Sequence, residues 1–123
     1  MILINVGDIW LHQYGDEQQA KTLYQQGLHL WQDMQRVDNG IGIVRGLAGL
    51  AEVAAAQGQA ERAGRLFGAA DHLLPAASNY RDDLNRRVAE ARAHLDATAF
   101  TAGWTAGQAM TVEQAVTDAL QDA

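Results

Sequence analysis

Residues 44–74 read VRGLAGLAEVAAAQGQAERAGRLFGAADHLL, and this stretch decides the fold. Val44, Leu47, Leu50, Ala51 and Ala54 recur at spacings of three and four, as do Ala63, Leu66, Phe67, Ala70, Leu73 and Leu74. That period puts each set on one face of an α-helix, with Gln, Arg, Glu and Asp opposite. Gly58-Gln59 stands between the sets, where glycine can take the left-handed conformation that ends a helix. Pro75 follows the second set and cannot continue it. The segment is a helical hairpin.

The same grammar extends in both directions. Upstream, Ala20, Leu23, Tyr24, Leu28, Trp31 and Met34 form a stripe behind a second glycine turn, Gly15-Asp16. Gly27 lies on that stripe and permits close helix approach. Asp38-Asn39-Gly40 makes a longer break. Downstream, Tyr80, Leu84, Val88, Ala91 and Leu95 form another stripe, with Ser78 or Asn79 as its cap. Thr111 with Gln114 has capping-box spacing and opens a last helix. The pattern predicts helices near 2–14, 17–35, 41–57, 60–74, 79–96, 97–108 and 112–121. The expectation is one all-α domain over 1–123.

Composition narrows the function. The chain has 123 residues, enough for one ordinary domain. It holds no cysteine, which removes disulfides, thiolate metal sites and cysteine nucleophiles. A formal charge of −6 opposes binding to nucleic acid, whose phosphates need a basic face. Six of the nine basic residues fall between Arg62 and Arg92, but Asp71, Asp82, Asp83 and Glu90 lie among them. No run approaches a membrane span. Met1-Ile2-Leu3-Ile4 has no basic flank and the first cation is Lys21, so the reading is a cytoplasmic chain with no membrane contact.

The two turns have matching surroundings: Gly15 precedes Ala20, Tyr24 and Leu28, and Gly58 precedes Ala63, Phe67 and Ala70. Small and aromatic residues at these offsets let paired helices approach and fill the gap between hairpins. The turns stand 43 positions apart, more than the ~34 of a standard tetratricopeptide unit. Gly15-Asp16, Ala20, Tyr24, Leu50, Gly58, Ala63, Phe67, Ala70 and Pro75 nonetheless resemble the tetratricopeptide signature. The run from Gly46 to Ala70, and the tail Phe100, Trp104, Gly107 and Met110 to Val116, are similar to the C-terminal tetratricopeptide region of bacterial ATP-binding regulators of the LuxR and MalT type. Two positions depart from that pattern: Gly7 stands one place early, and Leu47 replaces an aromatic residue. No Walker glycine loop and no basic recognition helix is present.

The resemblance implies a tetratricopeptide-like α-solenoid of about two hairpins, repeat 1 near 2–35 and repeat 2 near 41–75, with a C-terminal helical cap near 79–121. It implies a non-catalytic protein–protein interaction or regulatory segment of a bacterial signalling or transcriptional regulator. A self-assembly module and a small-ligand sensor are the alternatives. Carrying over the groove positions gives Asn5, Ile9 and His12 in repeat 1, then Arg45, Ala48, Glu52 and Ala55 in repeat 2, as residues facing a protein or peptide partner. Met1 opens inside an amphipathic pattern without a cap, so the chain is expected to be a fragment of a longer protein. Ile2, Leu3, Val6 and Trp10 would then drive homo-oligomerisation through helix 1.

Chemistry-bearing residues read as structural. Asp8 and His12 lie four apart, a chelating spacing, but two ligands make no metal site. His29, His72 and His94 are isolated. Asp82 with Arg86, and Asp83 with Arg87, are four apart and read as ion pairs on a helix surface. With no nucleophile–base pair, no enzyme activity, cofactor or metal is expected.

Overall fold

The computed structural model describes residues 2–34 and 41–121, and for residues 2–5, 31, 33, 34 and 41 the backbone only. The described residues form seven helices and no strand: α1 (Ile2–His12), α2 (Glu17–Met34), α3 (Ile41–Ala56), α4 (Ala60–Leu73), α5 (Arg81–His94), α6 (Ala97–Gln108) and α7 (Val112–Leu120). The fold is all-α. Asp38-Asn39-Gly40 and the side chains of Trp31 and Met34 lie outside the described residues.

The turns follow from local chemistry. Gly15 and Gly58 both take positive φ, 64° and 76°. At Gly58 the chain closes a Schellman motif: Gln59 N–H donates to the Ala54 carbonyl at 2.9 Å, and Gly58 N–H to that of Ala55 at 3.0 Å. Asp16 caps α2 by accepting from Gln19 N–H at 3.0 Å. Thr111 and Gln114 form the expected capping box on α7. The start of α5 differs from expectation. Tyr80 occupies the cap position without a side-chain bond to the helix, while Ser78 accepts from Tyr80 N–H and, through its carbonyl, from Arg81 N–H.

The turns fold α1 on α2 and α3 on α4, and α2 lies against α3. Tyr24, Leu28, Val44, Leu47, Leu66, Phe67, Leu84 and Phe100 are fully buried in one continuous core. Beyond the two hairpins, α6 lies along α4, α5 rests on α3, and α7 crosses α2, α3 and α4. The α4–α6 contact is backbone against backbone. A Cβ on Gly64 or Gly68 would overlap the carbonyls of Phe100 or Trp104; one on Gly103 or Gly107 would overlap those of Glu61 or Arg65. Phe67 and Phe100 close this pair at 6.5 Å between ring centres, and Trp104 stacks on Phe100 at 6.3 Å. Arg92 of α5 covers both rings, 4.6 Å from Phe100 and 5.1 Å from Trp104.

Cations between Arg62 and Arg92 are used internally. Arg62 donates to the carbonyls of Ala119 and Gln121 at the end of α7, and Arg65 holds Asp118 at 2.7 Å. Arg81 binds the Asp71 carboxylate and the Leu74 carbonyl. No helix among the described residues is long and apolar enough to cross a membrane.

Candidate functional site

Helix α1 carries a single Asp, Glu, Lys or Arg side chain, Asp8, and the 16 residues of α3 carry two, Arg45 and Glu52. Charges so sparse on apolar helices must find partners or water. All three converge on one groove, where α5 supplies the counter-charge.

Arg87 is the hub. Its Nη1 donates to Glu52 Oε1 at 2.6 Å and lies 3.8 Å from Asp8 Oδ1, while its Nε donates to Asp83 Oδ2 at 2.8 Å. The side chain is only 11% exposed. Burial opposes its charge, but Glu52, Tyr80, Asp8 and Asp83 outweigh that, so the guanidinium pKa is raised further. Glu52 also accepts from His12 Nε2 at 2.6 Å, which ties α1 to α3. Arg45 Nη2 reaches Asp8 Oδ2 at 3.4 Å.

A tyrosine from the opposite side completes the cluster. Tyr24 of α2 passes between α1 and α3 because Gly7 and Gly49 leave room for its ring: a Cβ at Gly7 would lie 3.0 Å from Tyr24 Cε1, and one at Gly49 would overlap it. The phenol emerges at the groove and donates to Asp8 Oδ1 at 2.5 Å. Burial, then the bond to Asp8 and the Asp8 and Glu52 charges, raise its pKa and keep it protonated. Tyr80, packed 5.8 Å from Arg87, is pushed up to about 12, chiefly by burial. Its Oη is buried with no hydrogen-bond partner among the described residues.

Two clefts flank Arg87. One, of about 550 Å³, is bordered by Arg45, Ser78, Asn79, Tyr80 and Asp83. The other, of about 420 Å³, is bordered by Glu52, Ala55, Ala56, Glu90, Ala91 and His94. The first joins the start of α3 to the start of α5 and the second joins their ends. The two helices therefore run side by side in the same direction.

The expected groove residues can now be placed. His12, Arg45, Glu52 and Ala55 border this face, and Ile9 on α1 is 43% exposed. Asn5 lies on α1 with its side chain outside the described residues. Ala48 is a correction. It is 0% exposed, packed into the core beneath the groove, and presents nothing to a partner.

The surface ion pairs also need revision. Asp83 pairs with Arg87 as expected, but Arg86 pairs with Asp83 at 2.5 Å and with Glu90 at 3.2 Å. Arg87 itself reaches two other helices. Sequence reasoning missed that reach, and the available signal was the scarcity of charge on two apolar helices, Asp8 alone on α1 and Arg45 with Glu52 on α3.

Chemically, the cluster holds charges in place. Burial would raise the Asp83 pKa, but Arg86 and Arg87 more than offset it and bring it below the usual 3.8. Among the described residues no three His, Asp or Glu side chains converge to hold a metal ion. The arrangement suits recognition by shape and charge. No family model, curated protein or solved structure matches this chain.

Proposed function

We propose that this chain is a non-catalytic protein- or peptide-binding segment that works through the groove between α1, α3 and α5. One observation carries the reading: Asp8, Arg45 and Glu52 of α1 and α3 face the same groove and meet Arg87 of α5 there. Charges held in fixed positions favour a partner of complementary charge, and Ala55, Ala56 and Ala91 leave one of the two clefts free of bulk. The reading accords with a tetratricopeptide-like solenoid, and with a role in a bacterial cytoplasmic regulator resembling the LuxR and MalT type.

The test is selection of random peptides on the full chain, followed by amide-shift mapping of the selected binders. Perturbed amides should cluster on α1, α3 and α5. Selection that enriches nothing over a blank surface, or shifts confined to α6 and α7, would overturn the proposal.

A second reading is self-association through α1, favoured by exposed Ile9 and by Tyr14, which is 67% exposed and packs on Trp10 at 5.1 Å. Light scattering across a concentration series separates the two. A concentration-independent monomer mass removes this reading and leaves the first intact.

A further inference from the structure

Helix α5 carries only two large apolar side chains, Leu84 and Val88, and with Ala91 these are the residues it buries. Tyr80 and Leu95, just outside its ends, pack partly against the core. By contrast α4 buries eight residues, Leu66 and Phe67 among them.

What else holds α5 is arginine. Arg81 at its start binds the Asp71 carboxylate of α4 and the Leu74 carbonyl just beyond it. Arg87 at its middle reaches Glu52 of α3 at 2.6 Å and Asp8 of α1 at 3.8 Å. Arg92 near its end lies over the Phe100 and Trp104 rings of α6. Each clasp grips a different neighbour. The backbone is extended at Leu74 and again at Leu95, so a break sets off α5 on either side. The helices before and after it meet without it: α4 and α6 pack backbone on backbone through Gly64, Gly68, Gly103 and Gly107.

We infer that α5 is a strap, which opens and closes as one unit on its three arginine clasps while α4 and α6 stay packed. Segments with few buried apolar contacts are the ones that open locally at low free energy. The consequence falls on the groove. Tyr80 and Asp83 border one cleft, and Glu90 and His94 border the other. Opening removes that wall and parts Arg87 from Asp8 and Glu52. The groove therefore exists only in the closed form, and a partner touching α3 and α5 together favours closing by mass action. The strap itself requires no partner, so it stands or falls apart from the peptide-binding reading.

Native-state hydrogen exchange on the full chain, followed amide by amide by NMR, tests the inference. In wild type the amides of 84–91 should share one opening free energy. Their protection should lie about ten-fold or more below that in the middle of α4 and α6. A clasp at one end should act on the whole helix. Arg92→Gln should lower protection about two- to five-fold, the effect of losing an exposed cation–π contact, and equally at Leu84 and Ala91. Arg81→Met should likewise lower it at Ala91 by the same factor as at Leu84. Arg92 is exposed, so its variant folds even if Arg81→Met does not, and circular dichroism checks both.

Wild-type protection in α5 equal to that of α4 and α6 overturns the inference, because α5 then belongs to one cooperative unit with them. A folded Arg92→Gln chain whose change is absent, or confined to the amides beside residue 92, overturns it too. That result makes α5 a helix that frays from its ends.

Discussion

The α4–α6 pair and the α1–α3–α5 face solve the same problem, how helices meet, in opposite ways. Between α4 and α6, four glycines remove the side chains, and carbonyl oxygens of one helix sit where the other's Cβ atoms would be. Nothing can enter such a contact. Across α1, α3 and α5 the helices stand apart, and charged side chains with two clefts occupy the space. The lesson concerns spacing. Close approach leaves no space between the helices, whereas separation leaves room for charged side chains and two clefts.

The hardest way to break the comparison is to add one methyl to the close pair. Gly103→Ala places a Cβ against the Glu61 carbonyl and the Arg65 amide, backbone atoms that no rotamer change can move. Overpacking commonly costs about 1–3 kcal/mol, and a rigid obstacle belongs at the top of that range. The gain in helix propensity, roughly 1 kcal/mol, offsets part of it. Urea unfolding should show a loss of about 2 kcal/mol. A variant as stable as wild type would mean that α4 and α6 are not in backbone contact.

The open face should respond to charge rather than volume. Arg87→Met keeps most of the side chain but leaves Glu52, Asp83 and Asp8 without their shared cation. Breaking a fully buried pair costs about 3–5 kcal/mol, but Glu52 and Asp8 are 18% and 17% exposed and water can reach them. The expected loss is about 1–2 kcal/mol in urea, larger at pH 7 than at pH 2, because acid takes away the Asp83 charge that Arg87 stabilises. Equal losses at both pH values would assign Arg87 a packing role only.

These two regions also differ in how much of them could be read from sequence. The hairpins were legible because their signals are local: Gly15 and Gly58 took positive φ, and Thr111 and Gln114 closed their box. The glycine spacing Gly64–Gly68 and Gly103–Gly107 is visible in the sequence, but which helix faces which is a tertiary fact. Arg87 shows the same limit. Its bond to Asp83 is one helical turn long and was expected; its bond to Glu52 spans 35 positions and depends on how α5 lies on α3. Ala48 failed for a related reason, since a helix face reads as groove or core only once its neighbour is placed.

A smaller effect comes from acid. The pKa of Asp83 is lowered in the folded chain, so its contribution to stability is complete well above the usual 3.8 and is lost as pH falls through the native value. The loss begins as the unfolded chain takes up its proton, near pH ~5. Melting temperature followed from pH 6 to pH 2 should fall less steeply in Asp83→Asn than in wild type. Parallel curves would show that Arg86 and Arg87 do not hold this carboxylate.

The smallest expected change is also the sharpest test of which polar atoms on this face matter. Tyr24 and Tyr80 both bring phenols into the cluster, yet only Tyr24 Oη has a bond there, to Asp8. Removing it in Tyr24→Phe would strip a donor from a carboxylate that is 17% exposed, and hydrogen bonds to charged groups are worth about 1.5–3 kcal/mol. Tyr80 Oη is buried without a partner, so the folded state already bears the cost of its desolvation. Tyr80→Phe keeps the ring beside Arg87 and removes only that burden. Stability should stay within about 0.5 kcal/mol of wild type or rise, because deleting an unsatisfied group costs little. A loss above about 1 kcal/mol in urea would mean that the Tyr80 hydroxyl is satisfied in solution, and that this part of the charged face is as tightly bonded as the Asp8 end.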